Sequence, residues 1–138
     1  MPTEIPMQGA ISPTLDIVLL VTEWKPRALL RAQLIEEGFE ILAVDSWAAA
    51  RPHFRLGSKP RLVIVDLQEL PEPERVLTEL SVLMTPPRVL ILSAAATVEP
   101  DDVARLGFRR LTRPVSIENI VAAATEAIHD QGPGKEKA

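Results

Sequence analysis

Four side chains that could take part in one reaction occur at or after the ends of separate segments of the sequence. Asp66 ends an uninterrupted aliphatic run, and Glu23 and Ser93 stand at the ends of two others. Arg113 follows a shorter and more polar segment. Two neighbouring carboxylates favour a hard divalent cation such as Mg²⁺. A hydroxyl and a cation beside them could hold phosphoryl oxygens, with the Asp66 carboxylate as nucleophile.

Asp66 also has a plainer interpretation, as the polar residue at which a core strand stops. A charge at the inner end of a central strand is costly unless it faces water, a cation or hydrogen-bond donors. In open α/β sheets, however, ligands bind at the carboxyl ends of the strands. The position of Asp66 in the sequence therefore leaves both interpretations open.

Apolar runs predict the strands that would position these residues. Runs with no polar break are typical of strands buried on both faces of a parallel sheet. We predict four such strands and a fifth, polar strand at a sheet edge: Asp16 to Val21, Glu40 to Asp45, Arg61 to Asp66, Arg88 to Ser93, and Phe108 to Thr112.

Helical spacing of apolar residues predicts a helix after each strand. Start and stop signals support these helices, because Ser46 and Ser116 are good N-caps and Gly38 is well placed to end the first helix. We expect Trp24 and Trp47 to be packing residues at helix starts. The predicted helices begin near Pro26, Trp47, Val76, Pro100 and Ile117.

Five strands alternating with five helices predict an α/β fold. Right-handed crossovers then produce a parallel sheet with helices on both faces. For this length we predict a flavodoxin-like (βα)5 sandwich with strand order 2-1-3-4-5. In that order the strands that end near Glu23, Asp66 and Ser93 are neighbours, and their ends share one cleft.

Composition limits the classes of function. The chain has 138 residues, a formal charge of −4 and no cysteine, which excludes thiol and zinc-thiolate chemistry and argues against a nucleic-acid partner. We find no membrane-spanning run and no signal peptide, so we expect a cytoplasmic location and no membrane partner.

We predict a flexible leader over 1–14, one domain over 15–130 and a flexible tail over 131–138.

The sequence around these four residues resembles the receiver domain of bacterial two-component response regulators over about Asp16 to Ile128. Arg-Leu-Val-Ile-Val-Asp66-Leu resembles the phosphoacceptor strand of that family. Val-Leu-Ile-Leu-Ser93-Ala resembles its switch hydroxyl, Leu-Thr-Arg113-Pro its Lys-Pro element, and Ile-Val-Leu-Leu-Val-Thr-Glu23 its acidic pair.

The resemblance implies a role for each of these positions. Asp66 would be the phosphoacceptor position, with Ser93 and Arg113 as its functional partners. Glu23, Asp66 and the backbone carbonyl of Gln68 would bind Mg²⁺. The sequence departs from the family at Thr22, which replaces one acid, at Arg113, which replaces the lysine, and at Arg110, which stands where a switch aromatic is frequent. The segment from Gly107 to Arg113 is also one residue short, and the loop after Asp66 lacks the glycine expected there. We therefore expect weak Mg²⁺ binding.

Three hypotheses for function follow. The first is a stand-alone receiver-like domain in phosphorelay signalling, not an enzyme, whose output is a change of protein contacts. Its partner would be a histidine kinase, a phosphotransfer protein or a second copy docked through the last strand and helix. The second is a pseudo-receiver with a constitutive partner, in which Arg113 pairs with Asp66 permanently. The third is a small flavodoxin-like cofactor-binding protein, which the absence of a Gly-rich phosphate loop disfavours.

Basic residues near the fifth predicted strand leave a further choice open. Arg109, Arg110 and Arg113 could be a solvated edge, which we prefer, or a docking site for an acidic partner.

Overall fold

The structure is a computed structural model that describes residues 15–55, 59–93 and 105–130. Its five strands form one parallel sheet in the order β2-β1-β3-β4-β5, which confirms the predicted topology. The strands are β1 (Ile17–Leu20), β2 (Ile41–Val44), β3 (Leu62–Asp66), β4 (Val89–Ser93) and β5 (Arg109–Thr112).

The helices of the described residues lie on both faces of the sheet. They are α1 (Trp24–Glu36), α2 (Trp47–Ala50), α3 (Pro73–Leu83) and α4 (Ile117–His129), with 3₁₀ turns at Arg51–Phe54 and Pro86–Arg88. The helix predicted to begin at Pro100 falls mostly outside the described residues. The predicted leader and tail lie outside them as well.

Alternation along the strands divides the core into two layers. Ile17 and Leu19 of β1 face α1 and α4, whereas Val18 and Leu20 face α2 and α3. Side chains of β1, β3 and β4 are almost completely buried on both faces. This burial explains why these three strands are apolar without interruption, and it places them at the centre of the sheet.

Local signals define the helix ends as predicted. The Oγ of Ser46 accepts a hydrogen bond of 3.1 Å from the Ala49 N–H at the start of α2. Ser116 makes the equivalent 3.0 Å bond with the Asn119 N–H at the start of α4. After α1, Gly38 has a φ of 96°, a left-handed conformation that glycine adopts without strain.

The two tryptophans differ in their surroundings. Trp47 packs against Phe54, with ring centroids 5.6 Å apart, as expected of a packing residue. Trp24 is 70% exposed, so its predicted packing role is wrong. It lies in the first turn of α1, which packs on the sheet through Leu30 and Leu34 further along the helix.

No helix within the described residues is long and apolar enough to span a membrane.

Candidate functional site

Two polar side chains are buried where the central strands end. Asp66 ends β3 and Ser93 ends β4, and only 3% and 4% of their surfaces are exposed. The parallel register places Asp66 opposite Leu92, the residue before Ser93. The sheet therefore brings the predicted acceptor carboxylate and the predicted switch hydroxyl to one end of two adjacent strands.

Arg113 joins this pair from the segment after β5. Its backbone N–H donates a 2.7 Å hydrogen bond to the carbonyl of Ser93. Its Nη2 donates to Oδ2 of Asp66 in a charge-assisted hydrogen bond. The direct pair of Arg113 with Asp66, which would mimic a permanently occupied site, is thus present. A cis peptide bond joins Arg113 to Pro114.

Gln68 closes a ring of hydrogen bonds with Asp66 and Arg113. The Gln68 N–H donates to Oδ1 of Asp66 at 3.0 Å. The Gln68 Oε1 accepts from Nε of Arg113 at 3.2 Å. Both carboxylate oxygens of Asp66 and two nitrogens of the guanidinium are therefore engaged in one closed arrangement. Such an arrangement needs the planar, multi-donor geometry of arginine, which lysine lacks.

Opposing effects act on the ionisation of Asp66. Burial raises the pKa of its carboxyl above the ordinary value, because the charged form loses its hydration. The Gln68 N–H and the Arg113 guanidinium act in the other direction and offset part of the rise. Burial has the larger effect, so the neighbours compensate the charge of Asp66 only in part.

The turn after β1 differs from the acid-rich turn that the resemblance implies. Glu23 is exposed and forms no ion pair with any described residue, including Lys25. The Oγ1 of Thr22 is buried and has no hydrogen-bond partner in the part of the chain described. Arg27 reaches back from α1, and its Nη1 donates to the carbonyls of Val21 at 2.9 Å and Thr22 at 3.0 Å.

These donors and acceptors fit a guanidinium better than Mg²⁺. Mg²⁺ needs free carboxylate or carbonyl oxygens in a nearly octahedral arrangement. Here both oxygens of Asp66 already accept hydrogen bonds, and position 22 carries a hydroxyl instead of a carboxylate. Within the described ranges, no group of three or more His, Cys, Asp or Glu side chains could hold a metal ion. Weak Mg²⁺ binding through Glu23, Asp66 and the Gln68 carbonyl remains a prediction.

A pocket of about 250 Å³ lies beside the ion pair. Among the described residues of its lining, Asp66 and Arg113 are the polar ones. The rest of the lining is apolar and comes from β1, α1, β4 and the segment that leads into α4: Val21, Pro26, Leu30, Leu92, Pro114, Val115, Ile117 and Ile120.

Two contacts of this site were not predicted from the sequence. Gln68 was assigned only a backbone carbonyl, and its side chain proves to bridge to Arg113. Arg27 was not singled out at all. Arg27 lies six residues after Val21, close enough for its side chain to reach back to the strand end. Many exposed arginines lie at a similar distance after a strand, so the spacing alone does not single it out.

The other arginines near β5 are also engaged. Arg109 pairs with Glu126 of α4 at 2.9 Å, and Arg110 has a partner of its own. The predicted polar edge strand is confirmed, since β5 is the outermost strand and its arginines are exposed.

Several solved structures that are similar to this chain are receiver domains. One similar structure is a response regulator receiver domain protein from Clostridium thermocellum, at 22% identity and a TM-score of 0.68, covering 83% of this chain and 94% of the other. A second is the receiver domain of NtrX from Brucella abortus, at 23% identity and a TM-score of 0.68, covering 83% and 98%. A third is the signal receiver domain of a putative LuxO repressor protein from Vibrio parahaemolyticus, at 21% identity and a TM-score of 0.65, covering 85% and 92%.

The chain therefore has the flavodoxin-like fold of response regulator receiver domains. This result confirms the fold that the sequence resemblance implied. No protein-family model matches the sequence, and no curated protein matches it either.

Proposed function

We propose that this chain is a receiver-type signalling module that acts through protein contacts and takes no phosphoryl group at Asp66. The observation that carries the proposal is the ring formed by Asp66, Arg113 and Gln68. In this proposal the guanidinium of Arg113 holds the site permanently in one state. The chain is then a binding module rather than an enzyme, and a cytoplasmic location belongs to the same proposal.

The ring opposes phosphorylation for a physical reason. A hydrogen bond lowers the nucleophilicity of a carboxylate oxygen and places a donor beside the lone pairs with which it would attack phosphorus. Oδ2 of Asp66 is bound by Arg113, and Oδ1 by the Gln68 N–H. Thr22 supplies no second carboxylate that would recruit a cation to neutralise the incoming phosphoryl group.

The partner in this proposal is a protein that recognises a constant surface. The edge formed by β5 and α4 is one candidate for that surface, and a second copy of the chain could dock there. The ion pair between Arg109 and Glu126 neutralises part of the charge of this edge. That pairing favours the solvated-edge interpretation over a dedicated site for an acidic partner. A net charge of −4 continues to argue against nucleic acid.

A working phosphoacceptor is the second candidate function. It is favoured by the burial of Asp66 and Ser93 at the ends of adjacent strands, as the resemblance to phosphorylated receivers requires. In that case a histidine kinase or a phosphotransfer protein would be the partner, and Mg²⁺ would displace Arg113 from Asp66.

Intact-mass spectrometry after incubation with acetyl phosphate and Mg²⁺ separates the two candidates. We expect no phosphoryl adduct on the wild-type protein under conditions in which circular dichroism shows it folded. Thr22→Asp/Arg113→Lys is a matched variant that restores the acid and the lysine of ordinary receivers, and we expect an adduct on it. A wild-type adduct that disappears in Asp66→Asn would refute the proposal and establish the second candidate.

A further inference from the structure

Arg27 makes a contact that packing alone does not explain. Its side chain turns back from the first turns of α1, and one nitrogen, Nη1, donates to two successive carbonyls at the end of β1. The Arg27 backbone N–H also donates to the carbonyl of Glu23 at 3.2 Å. The Arg27 side chain thus binds two consecutive carbonyls of the turn that precedes α1, and its backbone N–H makes the ordinary first helical bond to the third.

Those carbonyls belong to the turn that faces the strand end at Asp66. β1 and β3 are neighbours in register, with Leu20 opposite Val65. The Val21 side chain lines the same pocket as Asp66 and Arg113. Arg27 and Arg113 therefore bring two positive charges to two adjacent strand ends, one onto backbone carbonyls and one onto a carboxylate.

We propose that Arg27 is a positioning residue that holds the turn at residues 21–23 in place of a divalent cation and, together with Arg113, excludes such a cation. Carbonyl oxygens bound by a guanidinium are satisfied without metal. The buried hydroxyl of Thr22 in place of a carboxylate then leaves the exposed Glu23 as the one acidic side chain of the turn. This inference rests on the proposed function, since it explains how the site is ordered without Mg²⁺.

Electrostatic repulsion gives the size of the effect. Arg27 contacts the backbone carbonyl of residue 22, so its guanidinium would lie within about one side-chain length of a carboxylate placed there. A unit positive charge within one side-chain length of Mg²⁺ weakens its binding roughly tenfold, even with the dielectric constant of water. The expected result is therefore that a restored acid binds Mg²⁺ more tightly after Arg27 is removed.

The test is a titration with Mg²⁺ followed by tryptophan fluorescence, to which Trp24, exposed beside Glu23, contributes together with Trp47. The proteins are the wild type, Thr22→Asp, Thr22→Asp/Arg27→Met and a control, Thr22→Asp/Arg31→Met. Methionine keeps much of the apolar stem and removes the donors. Arg31 is an exposed arginine one turn further along α1, so its removal changes the net charge equally.

We expect Mg²⁺ binding to be weakest in the wild type, tighter in Thr22→Asp, and about tenfold tighter again in Thr22→Asp/Arg27→Met. The Arg31 control should match Thr22→Asp alone. Equal affinities of Thr22→Asp with and without Arg27, or equal tightening by the Arg31 change, would overturn the inference. These outcomes are independent of the acetyl phosphate experiment, because they compare metal affinities and no phosphoryl transfer is measured.

Hydrogen exchange supplies a second readout if the double variant does not fold. In the single variant Arg27→Met, we expect faster amide exchange confined to residues 21–24, with the amides of α4 unchanged. Arg27→Lys should recover part of the protection, since an ammonium can still donate to the carbonyls. Unchanged exchange at the turn in Arg27→Met would also overturn the inference.

Discussion

Two carboxylates in this protein meet arginine side chains in opposite environments. Asp66 is buried at the end of β3 and is bound by Arg113. Glu79 lies on α3 at the protein surface, where it accepts a 2.9 Å hydrogen bond from Nε1 of Trp47. Two exposed arginines approach the same carboxylate, with N–O distances of 3.6 Å from Arg51 and 3.4 Å from Arg75.

Burial, more than the number of cations, decides how each acid ionises. The pKa of Asp66 is raised, because desolvation outweighs its hydrogen bonds and its arginine. The pKa of Glu79 is lowered, chiefly by the hydrogen bond from Trp47, which together with Arg51 and Arg75 outweighs the rise caused by desolvation. The environment of the candidate site therefore disfavours the ionised form of Asp66, whereas the surface between α2 and α3 favours the ionised form of Glu79.

Removing Arg113 should cause the largest effect. In Arg113→Ala the buried carboxylate of Asp66 loses its charged partner and keeps only the Gln68 N–H. We expect a loss of about 2 kcal/mol in the free energy of unfolding at pH 7, measured by urea denaturation. The double variant Asp66→Asn/Arg113→Ala should recover most of this loss. An Arg113→Ala protein as stable as wild type would show that the pair contributes nothing to the fold.

The pH dependence of Asp66→Asn sharpens the comparison. The pKa of Asp66 is higher in the folded protein than its unfolded value, near 3.8. Its contribution to stability is therefore fully present below the unfolded pKa and is lost as the pH rises through the folded pKa. Relative to wild type, Asp66→Asn should therefore gain stability as the pH rises through that window. Urea unfolding of both proteins in steps of pH measures the difference. A relative loss in the variant would mean that the ion pair outweighs desolvation.

Glu79→Gln should show a smaller effect of opposite sign. The pKa of Glu79 is lower in the folded protein than its unfolded value, near 4.5. Its contribution to stability is therefore present above the unfolded pKa and is lost as the pH falls through the folded pKa. We expect a modest loss in Tm at pH 7 that shrinks at low pH and in high salt, which screens exposed charges. Thr78→Val, on the same helix, is the uncharged control. A loss that is insensitive to salt would indicate a packing role instead.

The fold was predictable because the strands and helix ends carry local signals. Uninterrupted aliphatic runs predicted β1, β3 and β4, and serines at N-cap positions predicted the starts of α2 and α4. Parallel topology then required Asp66 and Ser93 to be neighbours. Trp24 was predicted wrongly, since a large apolar side chain at a helix start shows the same pattern whether it packs or stays exposed.

The sequence by itself determined the sheet order and the type of residue at each strand end, because burial of whole apolar runs allows few arrangements. Only the tertiary structure decided which donors reach which acceptors. Gln68 and Arg113 are far apart in the chain, and Arg27 turns back along its own helix to reach the carbonyls of Val21 and Thr22. Such contacts depend on the direction of flexible side chains across loops, and no periodicity of the sequence encodes that direction.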